Sequence, residues 1–292
     1  MTDNLAASYE RCRALHRAYG RSYYLATRLL PAWKRPHVHA LYGFARYTDE
    51  IVDRVDDGGP GGRAARLRRW RDRFVAALDG APVDDPVIPA VRHTIEVFGL
   101  DRADFAALLR SMEMDLTVTG YDTYDDLLEY MEGSAAAIGT MMLPVLGCVD
   151  PVAAREPARQ LGLAFQLTNF IRDVEEDLSL GRIYLPGKDL ARFGVTPDDL
   201  CVRVTTEPIR ELIAFEVARA REHYDRAASG IPMLTPSSRA CVRAAYLIYG
   251  GILDEVVRAN YDVFGRRATV PTPRRLALLA AGLLPRRRRF SR

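Results

Sequence analysis

QLTNFIRDVEEDLSLGRIYLP, residues 166–186, is the stretch of this 292-residue chain with the clearest pattern. Asn169, Asp173 and Asp177 recur every four residues, so on a helix they form one polar row. Four acids crowd into positions 173–177, and each unpaired like-charge pair costs a helix about 0.2–0.5 kcal/mol. A hard divalent cation with oxygen ligands would offset that repulsion. Apolar residues occupy the other sides of the helix and can pack: Leu167, Phe170, Ile171 and Val174.

A second acidic pair lies more than a hundred residues upstream, in the stretch ARYTDEIVD at 45–53. Asp49 and Asp53 are again four residues apart, so two facing helices would line one acidic cleft. Mg²⁺ usually binds one or two carboxylates and completes its coordination with substrate phosphates and water. One such pair alone would more often be a solvated helix face. The two together predict metal-assisted handling of a diphosphate.

DEIVD together with NFIRDVEEDLSLGRIYLP resembles the two aspartate-rich motifs of the phytoene/squalene synthase family, the head-to-head trans-isoprenyl diphosphate synthases. By motif order and spacing the resemblance extends from about Ser8 to about Pro271. Glu50 departs from it, because many members have aspartate there, but it is neither the first nor the last acid of the motif. The resemblance implies the isoprenoid synthase fold and Mg²⁺ or Mn²⁺ as the cofactor. Its metal ligands would be Asp49, Asp53, Asp173 and Asp177.

The resemblance also implies which side chains bind the substrate diphosphates. Arg46 lies three residues before Asp49, and its planar guanidinium suits phosphate oxygens. Tyr249 and Arg266 correspond to family residues at the reacting diphosphate and, with Arg46, are the expected catalytic residues. The remaining diphosphate-binding residues are expected to be Arg21, Ser22, Tyr130, Gln166 and Asn169. A plain helix start at residues 21–22 and ordinary core packing of Tyr249 are the competing interpretations.

The periodicity of apolar residues predicts an all-α protein, one domain over residues 1–292, built as a single helical bundle around a central cavity. Sustained strand alternation, a dinucleotide fingerprint and a P-loop are absent from the sequence. Small residues at 133–139 predict either close helix packing or an apolar tunnel for a polyisoprenoid chain, floored by Ile138, Met141, Met142 and Leu146. Helices are expected at 3–19, 33–55, 63–79, 90–98, 102–117, 124–147, 151–177, 208–228, 236–262 and 273–284, with short helices starting at about residue 20 and at about residue 196 and a turn at 56–62.

The composition of the chain limits the binding partners and the cellular location that we expect. The formal net charge is only +3, so no nucleic acid partner is expected. Four widely spaced cysteines and a polar N-terminal stretch favour the cytoplasm over an oxidising compartment. The arginines at 286–289 beside a short apolar helix predict peripheral contact with an anionic membrane surface, with a frayed tail as the alternative.

Two further stretches, RPHVHALYGFARYTDEIVD at 35–53 and GSAAAIGTMMLPVLG at 133–147, resemble the bacterial phytoene synthases most. This resemblance implies that two geranylgeranyl diphosphates condense through prephytoene diphosphate to 15-cis-phytoene, in carotenoid biosynthesis, with a downstream desaturase as a pathway partner. The alternative is a farnesyl diphosphate user that makes presqualene diphosphate, squalene or dehydrosqualene. A remote alternative is a non-catalytic assembly or scaffold relative. No NADPH is expected, because the sequence has no recognisable site for it.

Overall fold

The computed structural model describes residues 3–53 and 59–283, and their regular structure is helical apart from two isolated bridges. The prediction of an all-α bundle is confirmed. The helices are α1 (Asp3–Tyr19), α2 (Arg21–Thr27), α3 (Arg35–Asp53), α4 (Gly59–Leu78), α5 (Ile88–Phe98), α6 (Arg102–Met114), α7 (Tyr124–Met131), α8 (Ala137–Leu146), α9 (Pro151–Arg172), α10 (Val174–Ser179), α11 (Gly187–Arg192), α12 (Pro197–Cys201), α13 (Glu207–Ala228), α14 (Pro236–Arg258) and α15 (Thr272–Leu283). A π-helical turn (Glu132–Ala136) joins α7 to α8, and a 3-10 turn (Ile231–Met233) precedes α14.

Four differences from the predicted helices are present. Helix α4 begins at Gly59, within the turn predicted at 56–62, and residues 56–58 of that turn lie outside the described residues. The predicted helix 124–147 contains the π-helical turn, and α11 was not predicted. The predicted helix 151–177 is interrupted at Asp173, where φ is −106° and ψ is 14°.

The interruption at Asp173 does not disturb the acidic row. The backbone N–H of Asp173 still donates to the carbonyl of Asn169 at 2.8 Å, and that of Asp177 donates to the carbonyl of Asp173 at 2.8 Å. These bonds keep the spacing of four residues along one side. Asn169, Asp173 and Asp177 therefore form the predicted row even though two helices, α9 and α10, share it.

Two large apolar clusters hold the bundle together. One lies among α1, α3, α4, α5 and α6 and centres on Phe44, Trp70, Phe74 and Phe105, which are at most 1% exposed. The other lies among α7, α9 and α13 and includes the stretch around Tyr184. Helix α14 contributes to both clusters, Cys241 and Ala244 to the first and Tyr249 and Leu253 to the second. The two acidic helices, α3 and α9, thus belong to different clusters.

The small residues at 133–139 serve close packing between helices. A Cβ atom added at Gly133 would lie 2.1 Å from the carbonyl oxygen of Ala107 in α6. In α9, a Cβ atom added at Gly162 would lie 2.3 Å from the carbonyl oxygen of Ala135 in the π-helical turn. Backbones that approach so closely leave no space for a ligand between them. The close-packing interpretation of these small residues is therefore the correct one at these contacts.

No helix among residues 3–53 and 59–283 has the length and apolar character needed to cross a membrane. The arginines at 286–289, on which the expected membrane contact depends, lie outside the described residues.

Replacing Gly162 with alanine should destabilise the protein. The new Cβ would force α9 away from the π-helical turn, and overpacking of this kind costs about 1–3 kcal/mol. That cost should exceed the gain of up to about 1 kcal/mol from the better helix propensity of alanine. Urea denaturation measures the change.

Gly61→Ala is the matched control, because no described atom lies within 4 Å of a Cβ atom added there, in the first turns of α4. Its free energy of unfolding should stay the same or rise slightly. Equal stability of the Gly162→Ala variant and the unsubstituted protein would contradict the close approach.

Candidate active site

The first acidic pair, Asp49 and Asp53, lies in the last turn of α3. The guanidinium of Arg46, one turn earlier, donates to the carboxylate of Asp49 at 2.5 Å and lies 3.5 Å from that of Glu50. The same guanidinium stacks 4.0 Å from the centre of the Tyr19 ring. The predicted proximity of Arg46 to Asp49 is thus present, and the Tyr19 ring fixes the plane of the Arg46 guanidinium.

The second acidic pair, Asp173 and Asp177, lies where α9 ends and α10 begins. Asp173 accepts hydrogen bonds from the Arg172 guanidinium at both oxygens, at 2.7 and 2.5 Å. Arg267 donates to the same carboxylate at 2.8 Å and lies 3.3 Å from Glu176. Two guanidiniums therefore share the charge of one aspartate.

Arg182 connects the two pairs. It donates through Nη1 to Asp53 at 3.0 Å and through Nη2 to the backbone carbonyl of Asp115 at 3.2 Å. Its backbone N–H donates to the carbonyl of Asp177 at 2.9 Å. The residue thus belongs to the stretch after the second pair and forms an ion pair with the first. The two acidic motifs therefore meet at one end of the bundle.

The acids at this end oppose one another's ionisation. Burial raises the pKa of Asp49 to about 7, and the charge of Asp53 adds to the rise. Burial likewise raises the pKa of Asp177 to about 8, with Asp173 and Glu176 adding to it. The charge of Arg182 works against both shifts. Added positive charge at this place is therefore strongly favoured.

The donor set fits a hard divalent cation. Asn169 Oδ1 is buried and accepts no hydrogen bond from any described residue, while its Nδ2 is 3.5 Å from the side-chain oxygen of Gln166. An uncompensated amide oxygen next to carboxylates is a ligand type that Mg²⁺ accepts. Within residues 3–53 and 59–283, no three or more acidic, histidine or cysteine side chains already converge as a metal cluster. The side chains that lie against the aspartates are arginines instead.

Aromatic side chains border the second acidic pair. The ring of Tyr249 stacks on that of Tyr23 with centroids 4.2 Å apart and lies 4.8 Å from the ring of Phe165. Burial lowers the pKa of the Arg172 guanidinium, while Asp173 and, to a smaller extent, Tyr249 raise it. Tyr249 thus lies between the arginine that binds Asp173 and a wall of aromatic rings.

The other predicted diphosphate-binding residues have less direct positions. Tyr130 is only 3% exposed, and its hydroxyl donates to Asp115 at 2.8 Å. Arg266 is exposed, and it is the neighbouring Arg267 that contacts Asp173. Arg21 is exposed at the start of α2, and Ser22 is half-buried beside it. Four of the predicted residues lie at the acidic end: Arg46, Gln166, Asn169 and Tyr249. The hydroxyl of Tyr130 is instead used in its hydrogen bond to Asp115.

Comparison with known proteins identifies the family of the chain. The sequence profile of the family described as "Squalene/phytoene synthase" matches residues 16–274. The chain belongs to this family. A protein named phytoene synthase from Arthrospira platensis is 38% identical, over 93% of this chain and 91% of that protein. One named 15-cis-phytoene synthase from Synechococcus elongatus is 36% identical, over 96% and 94% respectively.

Solved structures of the family share the fold. A dehydrosqualene synthase crystallised with a ligand superposes with a TM-score of 0.87 at 30% identity, over 95% of this chain and 96% of that one. A squalene synthase from Alicyclobacillus acidocaldarius gives a TM-score of 0.80 at 30% identity, over 90% and 98% respectively.

The sequence analysis did not identify four residues that lie at this end of the bundle, namely Arg172, Arg182, Arg267 and Asp115. Arg172 and Arg182 lie within the stretch quoted above, so a search for cations beside the acids would have found them. The sequence analysis named Arg266 and not its neighbour Arg267. Adjacent side chains in an irregular segment point in different directions, and the sequence does not show which one faces the acids. Asp115 gave no local signal, because its partners, Tyr130 and Tyr184, are distant in sequence.

Replacing Asp177 with asparagine should change how stability depends on pH in metal-free protein. Because the folded chain holds the pKa of Asp177 near 8 and the ordinary value is 3.8, the unfolded chain binds fewer protons between these values. The carboxylate therefore destabilises the fold increasingly as pH rises through that window. The Asp177→Asn variant should gain at least about 1 kcal/mol on the unsubstituted protein between about pH 5 and pH 8.

Chemical denaturation at both pH values, with a chelator present, measures the gain. Asp225→Asn, the same substitution at an exposed aspartate of α13, should stay within about 0.5 kcal/mol of the unsubstituted protein at both pH values. An equal difference at pH 5 and at pH 8 for Asp177→Asn would mean that Asp177 ionises normally.

Proposed function

We propose that this chain is a prenyltransferase that condenses two geranylgeranyl diphosphates head to head, through prephytoene diphosphate, to 15-cis-phytoene. The observation that carries the proposal is the identity of 38% and 36%, over more than nine-tenths of the chain, with proteins named as phytoene synthases. The meeting of both acidic pairs at one end of the bundle supports it, because such chemistry needs two diphosphates to be bound close together.

The metal-binding part of the proposal concerns the two acidic pairs. Asp49, Asp53, Asp173 and Asp177, with Asn169, would hold Mg²⁺ or Mn²⁺, which when bound supplies Lewis-acid stabilisation of the leaving diphosphate. Arg46 and Arg172 lie at the carboxylates with guanidinium forks suited to phosphate oxygens. The Tyr249 hydroxyl, which lies near Arg172, would orient that guanidinium. Arg21, Ser22, Gln166 and Arg266 complete the proposed diphosphate-binding residues.

An apolar surface for the isoprenoid chains extends from this end. Ile138, Met142 and Leu146 recur every four residues along α8 and are only half-buried, as are Leu161 and Phe165 on α9. Such side chains can bury a hydrocarbon chain at about 25 cal/mol per Å² of apolar surface. They also offer a carbocation no nucleophile and exclude water that would trap it.

The runner-up is a farnesyl diphosphate user, favoured by the structural similarity to a dehydrosqualene synthase at 30% identity. The identity with phytoene synthases is higher, so the longer substrate is the main proposal. A non-catalytic scaffold role is disfavoured because both acidic pairs are complete. NADPH independence, a cytoplasmic location, one domain over 1–292, a downstream desaturase and membrane contact through residues 286–289 remain predictions.

Purified protein with Mg²⁺ should consume geranylgeranyl diphosphate and release 15-cis-phytoene and pyrophosphate without NADPH. The physical reason is that ionisation at the acidic end and proton loss complete the reaction without a reductant. Liquid chromatography with mass spectrometry identifies the hydrocarbon. A parallel incubation with farnesyl diphosphate is the control, and turnover of farnesyl diphosphate alone would overturn the assignment of chain length.

Asp49→Ala and Asp173→Ala should each lower the rate of pyrophosphate release by at least about a hundredfold, because each removes an anionic ligand from the site that stabilises the leaving group. The helical circular dichroism should persist, since both side chains lie outside the apolar clusters. Asp225→Ala, at an exposed position, should retain full activity. Undiminished turnover in either site variant would reject the site assignment.

A further inference from the structure

Arg182 lies between the two acidic pairs: its guanidinium binds Asp53 and its backbone N–H binds the carbonyl of Asp177. It forms an ion pair with Asp53 at 3.0 Å, and its charge lowers the pKa of both Asp49 and Asp177. Its side chain is only 13% exposed, so water screens this charge far less than at a surface pair. Arg46 forms its ion pair with Asp49 of the first acidic pair, and Arg172 forms its ion pair with Asp173 of the second.

The backbone around Arg182 is held by hydrogen bonds to another part of the chain. The N–H of Ile183 donates to the carbonyl of Thr119 at 2.8 Å, and that of Gly187 donates to the carbonyl of Tyr121 at 2.8 Å. The hydroxyl of Tyr184 donates to Asp115 at 3.1 Å. These bonds fasten the stretch 182–187 to the segment after α6 and aim the Arg182 side chain at the acidic end.

A cation that binds Asp53 must compete with this ion pair. Arg182 already occupies one carboxylate oxygen of Asp53. A metal ion that takes this oxygen would leave the carbonyl of Asp115 as the only remaining hydrogen-bond partner of the guanidinium and would remove one of the carboxylates that balance its charge, and losing a partner of a buried charge is costly. A diphosphate that arrives with the metal ion would give the released guanidinium an anion whose oxygens match its fork.

We propose that Arg182 is an internal counter-cation that holds the two acidic pairs together in the free enzyme and yields Asp53 only when a diphosphate accompanies the metal ion. This inference rests on the proposed function, in which the acidic pairs bind metal and diphosphate. It makes metal binding and diphosphate binding cooperative, because each ligand relieves the cost of the other. The free enzyme would thus take up its metal ions together with substrate rather than before it.

Metal binding without turnover tests the proposal. The shift of the thermal unfolding midpoint with Mg²⁺ concentration gives the apparent Kd for Mg²⁺ alone and with inorganic pyrophosphate. In the unsubstituted protein, pyrophosphate should lower the apparent Kd for Mg²⁺ at least about tenfold. In Arg182→Gln, Mg²⁺ alone should bind about tenfold more tightly, and the gain from pyrophosphate should shrink to about threefold or less.

Two further variants sharpen the test. Arg203→Gln is the matched control, because Arg203 contacts Glu175 and Ser179 near the second pair but neither acidic pair itself, and it should behave as the unsubstituted protein does. Arg182→Lys keeps a charge but loses the fork, so Mg²⁺ alone should bind about threefold more tightly. This variant carries the test if circular dichroism shows that Arg182→Gln does not fold.

Unchanged or weaker binding of Mg²⁺ alone in the folded Arg182 variants would overturn the inference, because Arg182 would then not compete for Asp53. If Mg²⁺ stabilises neither the variants nor the unsubstituted protein, with or without pyrophosphate, the metal site of the proposed function fails as well. The two failures are thus distinguishable from the same set of measurements.

Discussion

The balance of charge between four aspartates and the arginines around them governs the end of the bundle where α3 and α9 finish. Burial and mutual repulsion raise the pKa of Asp49 and of Asp177 even though arginines lie beside them. Arg46, Arg172, Arg182 and Arg267 therefore balance the carboxylate charge only in part in the free chain. A site in which buried carboxylates repel one another in this way favours ligands that carry both positive and negative charges, as a metal diphosphate does.

Close helix packing makes this arrangement possible. The two acidic helices contribute to different apolar clusters, so their relative position depends on the elements between them. Glycines allow α6, the π-helical turn and α9 to approach to backbone contact, and Gly162 shows this most clearly. Packing at backbone distance is rigid, because any added atom must move a whole helix. The carboxylate positions are therefore set by residues far from the chemistry.

The two halves of the proposed reaction need different surroundings, and the structure provides them side by side. Diphosphate handling requires fixed charges, and these lie at the helix ends. Carbocation chemistry requires apolar and aromatic walls without nucleophiles, and Tyr23, Phe165 and Tyr249 begin such a wall at the second acidic pair. Arg172 lies next to both, since it binds Asp173 and has Tyr249 nearby. It marks the boundary between the polar and the apolar part of the site.

By itself, the sequence determined the all-α class, the acidic rows and the family. These features depend on the helix period and on short motifs, so a few residues are enough to recognise them. The row at Asn169, Asp173 and Asp177, for example, is kept across the break between α9 and α10. Only the tertiary structure decided that Arg182 reaches Asp53, that Tyr130 turns to Asp115, and that Arg267 rather than Arg266 contacts Asp173. Such contacts join residues up to 129 positions apart, and they depend on side-chain direction in irregular segments, which no local period encodes.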